Sequence, residues 1–219
     1  MITTAELFEL SRTVMGDFLE EYRYPWEAIP HVGAAISALG EVLSRKQFQE
    51  LSPGVWVAKT AVVAESACLM PPCIVDEGAT VRHCAFLRGA VVVGKEAVVG
   101  NSTELKNAIL FDGAQLPHFN YAGDSILGHR AHLGAGAVIS NLKCDRSEVL
   151  VQWAGERVAS GFRKLGAFVG DGAEVGCHCV LNPGTVLGRH CTVYPLSSVR
   201  GGVGEGMICK GQGQYCRKR

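Results

Sequence analysis

The chain has 219 residues with 21 basic and 21 acidic side chains, so its formal net charge is zero. A balanced charge gives no general attraction to nucleic acid or to an anionic membrane surface. The polar start at Thr3, Thr4 and Glu6 carries no apolar signal segment, and we therefore expect a cytoplasmic protein.

Residues 1–50 predict an α-helical cap. Thr3 or Thr4 with Glu6 forms a capping-box pattern ahead of spaced apolar residues, and Ile36 to Leu43 suggests a second helix. Because the terminal repeats of a solenoid need a cover, we expect these helices to lie over the first coil.

Residues 51–208 carry apolar side chains at every sixth position, a spacing that neither an α-helix nor a half-buried strand produces. The first series contains these positions: Val57, Val63, Leu69, Val75, Val81, Leu87, Val93, Val99, Leu105 and Phe111. The step returns at Leu127, Leu133 and Ile139, and again at Val169, Val175, Leu181, Leu187, Val193 and Val199. Hexapeptide steps are typical of a parallel β-helix with triangular coils of about 18 residues, and the count predicts an all-β solenoid of about six coils.

Two stretches depart from this lattice. The gap between Phe111 and Leu127 is not a multiple of six residues. Near residues 141–165, alternating polarity around a turn at Ala154-Gly155 predicts an inserted β-hairpin arm that projects from the coil. Long insertions in repeat proteins tend to be functional, and residues 209–219 are expected to form a C-terminal tail.

The nine cysteines do not indicate a disulfide framework, since the count is odd and no secretion signal precedes them. Cys73, Cys179 and Cys191 occupy small-residue positions of the lattice and are expected to replace alanine there. The sequence Cys177-His178-Cys179 has no second Cys/His pair at ligand spacing, so no metal site is predicted.

His118 lies in the first departure from the lattice, close to Asn120 and Tyr121. A neutral imidazole accepts a proton near neutral pH, which is the task of a general base. A histidine that only satisfies loop backbone groups is the alternative, and a single histidine does not decide between the two.

The surrounding motif is more specific. The segment Pro117-His118-Phe119-Asn120-Tyr121-Ala122-Gly123-Asp124-Ser125, followed by Leu133-Gly134-Ala135-Gly136-Ala137 and Asn141, resembles the acetyltransferase domain of the bifunctional uridylyltransferase/glucosamine-1-phosphate acetyltransferases. Upstream, Leu87-Arg88-Gly89, Gly100-Asn101 and Glu104-Leu105-Lys106-Asn107-Ala108 match in order and spacing. The resemblance covers about residues 53–205 and implies a left-handed parallel β-helix. With the helices expected in residues 1–50, the predicted fold is a left-handed parallel β-helix with an N-terminal helical cap.

The resemblance also implies a function. It implies an acetyl-CoA-dependent N-acetyltransferase that acts on an amino-sugar phosphate such as glucosamine 1-phosphate and works as a homotrimer. It assigns the following roles: His118 as general base, Glu104 as a group that orients the base or substrate, Arg88, Lys106, Tyr121 and Asn141 as substrate contacts, and Ala135 and Cys177 as cofactor contacts. Residues 1–50 contain no glycine-rich phosphate loop, so uridylyl transfer is not expected from this chain.

Three positions depart from the family pattern: His132 and Cys177 stand where asparagine and serine are usual, and Leu142 follows Asn141 where the family has tyrosine. These departures keep open a non-catalytic, trimerising or sugar-nucleotide-binding module. A β-helix carbonic anhydrase is a third reading, for which His83 and His118 are available as zinc ligands but position 123 is glycine.

Overall fold

The computed structural model of the protein describes residues 1–211 and 213–218. Gln212 and Arg219 of the predicted tail lie outside the described residues. The helical part contains α1 (Thr4–Leu7), α2 (Gly16–Glu20), α3 (Pro25–Ala28) and α4 (Val32–Val42), with 3₁₀ turns at Leu10–Arg12 and Ile29–His31.

Short strands follow along the rest of the chain. The first half contains β1 (Phe48–Ser52), β2 (Val55–Ala58), β3 (Val62–Val63), β4 (Cys68–Met70), β5 (Cys73–Val75), β6 (Thr80–Val81), β7 (Phe86–Arg88), β8 (Val91–Val93), β9 (Val98–Asn101), β10 (Glu104–Leu110), β11 (Gln115–His118) and β12 (Tyr121–Leu127). The second half contains β13 (His132–Leu133), β14 (Val138–Ile139), β15 (Leu150–Trp153), β16 (Glu156–Ala159), β17 (Ala167–Val169), β18 (Glu174–Val175), β19 (Val180–Leu181), β20 (Thr185–Leu187), β21 (Thr192–Val193), β22 (Ser198–Val199), β23 (Gly202–Val203), β24 (Met207–Gly211) and β25 (Gln214–Arg217).

The strands stack in parallel on three faces of a triangular prism. The first face contains β2, β5, β8, the second half of β10, the second half of β12, β17, β20 and β23. The second face runs from β3 through β6, β9, β11, β13, β18 and β21 to β24. The third face contains β4, β7, the first halves of β10 and β12, β14, β19 and β22. The chain therefore contains the expected all-β solenoid of parallel hexapeptide coils, with more coils than the lattice predicts.

At the first departure from the lattice the coil continues, but the spacing of its interior residues becomes one residue shorter. Val93 pairs with Leu110, and Leu110 pairs with Leu127, so these coils are one residue shorter than the coil that pairs Val75 with Val93. Leu110 therefore points into the core of the prism, whereas Phe111 packs on the outside of the first face. The assignment of Phe111 to the interior lattice is wrong for this reason.

Each shortened coil loses its residue at the corner between the third and first faces. Strands β10 and β12 continue through this corner, and a single residue in each makes the bend: Asn107 with φ 50° and Asp124 with φ 51°. Asparagine and aspartate adopt positive φ at lower cost than most other residues, which explains why these types stand at the bends.

The helical part covers a side of the prism and not its end. Its apolar residues pack with outward-facing residues of the first face, which include Trp56, Ile109 and Phe168. Thr3 and Glu6 form the expected capping box at α1. The helices therefore lie over the first coil through Trp56 and extend along the first face, while β1 pairs antiparallel with β2 and covers the open edge of the sheet.

The insertion also lies on the first face. Strands β15 and β16 pair as an antiparallel hairpin, and Ala154 and Gly155 at its turn both have positive φ. Val149 and Val151 are fully buried in the same apolar cluster as Val186 of β20. The hairpin therefore folds back against the prism, and the expected projecting arm is not observed among the described residues.

The small-residue positions and the C-terminus complete the fold. Cys73, Cys179 and Cys191, which are expected to replace alanine, are fully buried, and burial raises the pKa of the Cys73 thiol to about 12. The segment predicted as a tail contains most of a strand pair in which β25 runs antiparallel to β24. The domain boundaries given above stay a prediction.

Candidate functional site

A buried carboxylate organises the polar residues at one corner of the prism. Asp124 is 4 % exposed and forms the single-residue bend in β12. Its Oδ1 accepts hydrogen bonds from Lys106 Nζ at 3.2 Å and Asn107 Nδ2 at 3.0 Å, and its Oδ2 accepts one from Asn141 Nδ2 at 2.6 Å. The donors come from the two coils on either side of Asp124, and the shared carboxylate holds Lys106 and Asn141 in fixed positions.

An ion pair lies beside this cluster on the third face. Arg88 Nη1 donates to Glu104 Oε1 at 2.8 Å, and the pairing of β7 with β10 places these residues on adjacent coils. The carboxylate raises the pKa of the Arg88 guanidinium, first by this hydrogen bond and then by its charge. Within the described chain the side chain of Glu104 bonds to Arg88, and no hydrogen bond joins it to His118.

Tyr121 and Asn141 converge over Gly123. The Tyr121 hydroxyl would lie 2.5 Å, and Asn141 Nδ2 2.8 Å, from a Cβ atom added at Gly123. A side chain at position 123 would therefore push both groups away. Burial, together with the charge of Asp124, raises the pKa of the Tyr121 phenol, so the hydroxyl stays protonated at neutral pH.

His118, Ala135 and Cys177 lie in a column along the corner between the second and third faces. The pairing of Gln115 with His132 and of His132 with Glu174 places them at equivalent positions of three successive coils. Backbone bonds connect the column, since Gly136 N donates to the His118 carbonyl at 3.0 Å and His178 N to the Ala135 carbonyl at 2.9 Å. The predicted base and cofactor contacts thus share one edge of the prism.

The corner at His118 is fixed by a buried asparagine. Asn120 Oδ1 accepts from His118 N at 3.1 Å, and Asn120 Nδ2 donates to the carbonyls of Gly134 and Ala137. The imidazole itself is exposed to solvent at the end of β11. Because Tyr121 follows three residues later as the first residue of β12, the third face connects this corner with the Asp124 cluster.

Asp124 belongs to the sequence motif, but the resemblance assigns it no role. The signal was present in the five-residue steps from Leu105 to Leu110 and from Ala122 to Leu127, which leave only Asn107 and Asp124 to make the bends. His132, the position that departs from the family pattern, lies on the second face, where its Nδ1 is 3.0 Å from Glu174 Oε2.

Two further properties concern metals and membranes. Within residues 1–211 and 213–218, no group of three or more His, Cys, Asp or Glu side chains is placed to share a metal ion. In the same part of the chain, every helix is too short or too polar to cross a lipid bilayer.

Comparison with known families gives a match over part of the solenoid. A model of the GMPPB C-terminal domain matches residues 69–159, a range that includes all the predicted site residues except Cys177. The bifunctional sugar-1-phosphate nucleotidylyltransferase/acetyltransferase of Sulfurisphaera tokodaii is 36 % identical over 126 residues, which are 58 % of this chain and 31 % of that protein. The bifunctional protein GlmU of Methanococcus maripaludis is 35 % identical over 109 residues, or 50 % of this chain and 26 % of the relative. The match therefore spans about a third or less of these curated relatives.

Solved structures show a more distant similarity. The acetyltransferase domain of PglB from Neisseria gonorrhoeae is 16 % identical, with a TM-score of 0.34 over 70 % of this chain and 53 % of that one. PerB from Caulobacter crescentus, in complex with CoA and GDP-perosamine, is 17 % identical, with a TM-score of 0.33 over 69 % of this chain and 51 % of that one. The sequence matches confirm the predicted resemblance: part of the solenoid is similar in sequence to bifunctional sugar-1-phosphate nucleotidylyltransferase/acetyltransferases.

Proposed function

We propose that the protein transfers the acetyl group of acetyl-CoA to the amine of an amino-sugar phosphate, with glucosamine 1-phosphate as the reference acceptor. The observation that carries this proposal is the register of the coils. It aligns His118, Ala135 and Cys177 along one corner, and it places Tyr121 at the start of the adjoining third face. The sequence relatives support the reaction class, since the Sulfurisphaera protein is named as an acetyltransferase.

The reaction needs one proton acceptor and a place for each substrate. The sugar amine attacks the thioester carbonyl, and His118 takes the proton that the nitrogen loses as the new C–N bond forms. The intermediate then expels the CoA thiolate, which recovers that proton from His118. Ala135 and Cys177 would lie along the pantetheine arm, where a small side chain leaves room for it.

The acceptor would lie on the third face. Arg88 and Lys106 would approach its phosphate and Tyr121 would donate a hydrogen bond to it, because guanidinium, ammonium and phenol groups suit phosphate oxygens. Asn141 would contact the sugar or the acetyl group. Glu104 acts in this proposal through Arg88, which it pairs with at 2.8 Å, and not as a partner of the imidazole.

We also propose that the active form is a homotrimer. His118 and the third face are exposed in the single chain, so a cleft that excludes water from the reacting groups requires a second copy beside them. The helical part and the hairpin already cover the first face, which leaves the other two faces available for packing against copies.

Replacement of His118 by alanine tests the proposal. His118→Ala should fold normally, because the side chain is exposed, and should lower turnover by roughly 10²–10⁴-fold if the imidazole is the base. The rate of CoA release in a thiol assay measures this. His83→Ala is a matched control, since His83 is an exposed histidine near the same corner two coils earlier.

Unchanged turnover in His118→Ala would remove the imidazole from the mechanism.

The non-catalytic, sugar-nucleotide-binding module is the second candidate. It is favoured by the existing pairing of both phosphate-site cations, Arg88 with Glu104 and Lys106 with Asp124. Calorimetric titration separates the two functions, because the module would bind a nucleotide sugar without binding acetyl-CoA.

A further inference from the structure

The insertion forms a cationic cavity beside the Asp124 cluster. Its residues have no part in the acetyl transfer proposed above. The cavity has a volume of about 470 Å³ and is lined by Leu142, Arg146, Arg163 and Lys164. It forms where the insertion leaves the prism and returns, since Leu142 and Lys164 form an antiparallel bridge. Residues from both ends of the insertion thus contribute to one concave surface.

The three cations of the cavity lack compensating carboxylates. Within residues 1–211 and 213–218, none of Arg146, Arg163 and Lys164 forms an ion pair. The neighbouring acidic side chains have other partners: Asp145 lies 3.8 Å from Lys143 Nζ, and Glu148 Oε1 accepts from Gly161 N at 2.6 Å. Three like charges around one cavity repel each other, and an anion bound between them would relieve that repulsion.

One of these guanidinium groups is held in place. Arg163 Nε donates to the Arg146 carbonyl at 3.0 Å, which joins the two ends of the insertion through a side chain. The remaining nitrogens of Arg163 form no hydrogen bond within the described chain and are free to form a two-pronged contact with phosphate oxygens.

The cavity continues from the proposed acceptor site. Asn141 donates to Asp124, its carbonyl accepts from Leu165 N at 2.9 Å, and the next residue, Leu142, lines the cavity. On the acceptor side, the positive charges of Arg88 and Lys106 are matched by Glu104 and Asp124. The uncompensated positive charge of this region therefore lies in the insertion cavity and not on the third face.

We propose that Arg146, Arg163 and Lys164 bind a diphosphate group of the acceptor, so that the acceptor is a nucleoside-diphosphate amino sugar whose sugar lies on the third face. Arg88 and Lys106 would then contact the phosphate nearest to that sugar. This inference rests on the proposed function for the identity of the acceptor. Acetyl-CoA also carries a diphosphate, but its proposed contacts lie at the opposite corner of the third face, along Ala135 and Cys177. The cavity is therefore assigned to the acceptor.

Calorimetric titration of the full chain with inorganic pyrophosphate at low salt tests the cavity without any catalysis. The double variant Arg146→Gln/Arg163→Gln should bind pyrophosphate at least about tenfold more weakly than the unaltered chain, because it loses two charge-assisted contacts. Both side chains are exposed, so the variant should keep its circular dichroism spectrum.

Arg82→Gln is the control, since it removes an exposed cation on another coil and should change the affinity for pyrophosphate little. Absence of pyrophosphate binding to the unaltered chain, or equal weakening in the control, would overturn the site.

Steady-state kinetics then assigns the source of the diphosphate. The unaltered chain should show a lower KM for a UDP- or GDP-linked amino sugar than for the amino-sugar 1-phosphate, and the double variant should lose that advantage with the KM for acetyl-CoA unchanged. A rise in the KM for acetyl-CoA instead would contradict the assignment to the acceptor. If no acceptor is acetylated but pyrophosphate binding follows the expected pattern, the proposed acetyl transfer fails while the anion site stands.

Discussion

Asp124 connects the backbone geometry of the coil to the chemistry of the candidate site. Its positive φ makes the bend of a shortened coil. At that bend its carboxylate accepts hydrogen bonds from Lys106, Asn107 and Asn141. The same residue thus sets the path of the chain and the positions of two proposed substrate contacts. Substitution at this residue should therefore affect both stability and substrate binding.

Asp124→Asn is the most informative replacement, because asparagine tolerates positive φ and leaves the bend unstrained. The amide removes the charge that pairs with Lys106 and turns an NH₂ group toward existing donors. We expect a loss of about 1.5–3 kcal/mol of stability, the range for hydrogen bonds to a charged group. Urea unfolding measures this loss, and acetyl-transfer kinetics should show a raised KM for the acceptor.

The control is Asp17→Asn, at an exposed position on α2, whose stability should stay within about 0.5 kcal/mol of the unaltered chain. Equal stability of the two variants would show that Asp124 does not hold the cluster together.

At the scale of elements, helix α4 depends on the small size of one glycine. A Cβ atom at Gly40 would overlap the indole ring of Trp56, which lies on the outside of the first face. A Cβ at Gly33, one of the first residues of the same helix, would meet Ala90 Cβ at 3.6 Å and Pro72 Cγ at 3.9 Å, which are ordinary contacts. A methyl group would therefore clash with Trp56 at Gly40 but would fit at Gly33.

Gly40→Ala should lower stability by about 1–3 kcal/mol, because the methyl group forces α4 away from Trp56. Gly33→Ala should raise stability by roughly 0.4–1 kcal/mol, since alanine favours the helix and has space at this position. Thermal unfolding of both variants checks the pair. A stabilised Gly40→Ala would mean that α4 does not pack against Trp56 as described.

The elements also show what the sequence could predict. The six-residue lattice predicts the prism because each interior position needs a large apolar residue, and Val57 to Leu105 all face the interior as expected. The six-residue spacing alone does not predict the corner at Asp124, because a bend made by one residue shifts that spacing as a break would; the two five-residue steps have to be recognised separately. It also could not predict where the helical part and the insertion lie. Outward-facing residues such as Ile74, Ile109 and Phe168 are apolar too, but their partners are far away in the sequence.

At the scale of the whole molecule, the three faces of the prism differ in their cover. The first face packs against the helical part and the hairpin through a second apolar cluster. On the second and third faces, outward-facing side chains such as Val62, Met70 and Val180 stay exposed in the single chain. His118 is exposed on the corner between these two faces, so one chain supplies the proposed base but only one side of a cleft around it.

Association of copies along these faces would supply the other side of the cleft and make catalysis depend on assembly. We expect sedimentation velocity to give a species of three times the 23.3 kDa of one chain. On dilution, turnover per chain should fall in parallel with the trimer fraction, because separated chains expose the reacting groups to water. Addition of acetyl-CoA should shift the dissociation to lower protein concentration, since a ligand bound between copies stabilises their association. A chain that stays monomeric and keeps full turnover per chain would show that one prism forms the complete site, and the role proposed for the uncovered faces would be wrong.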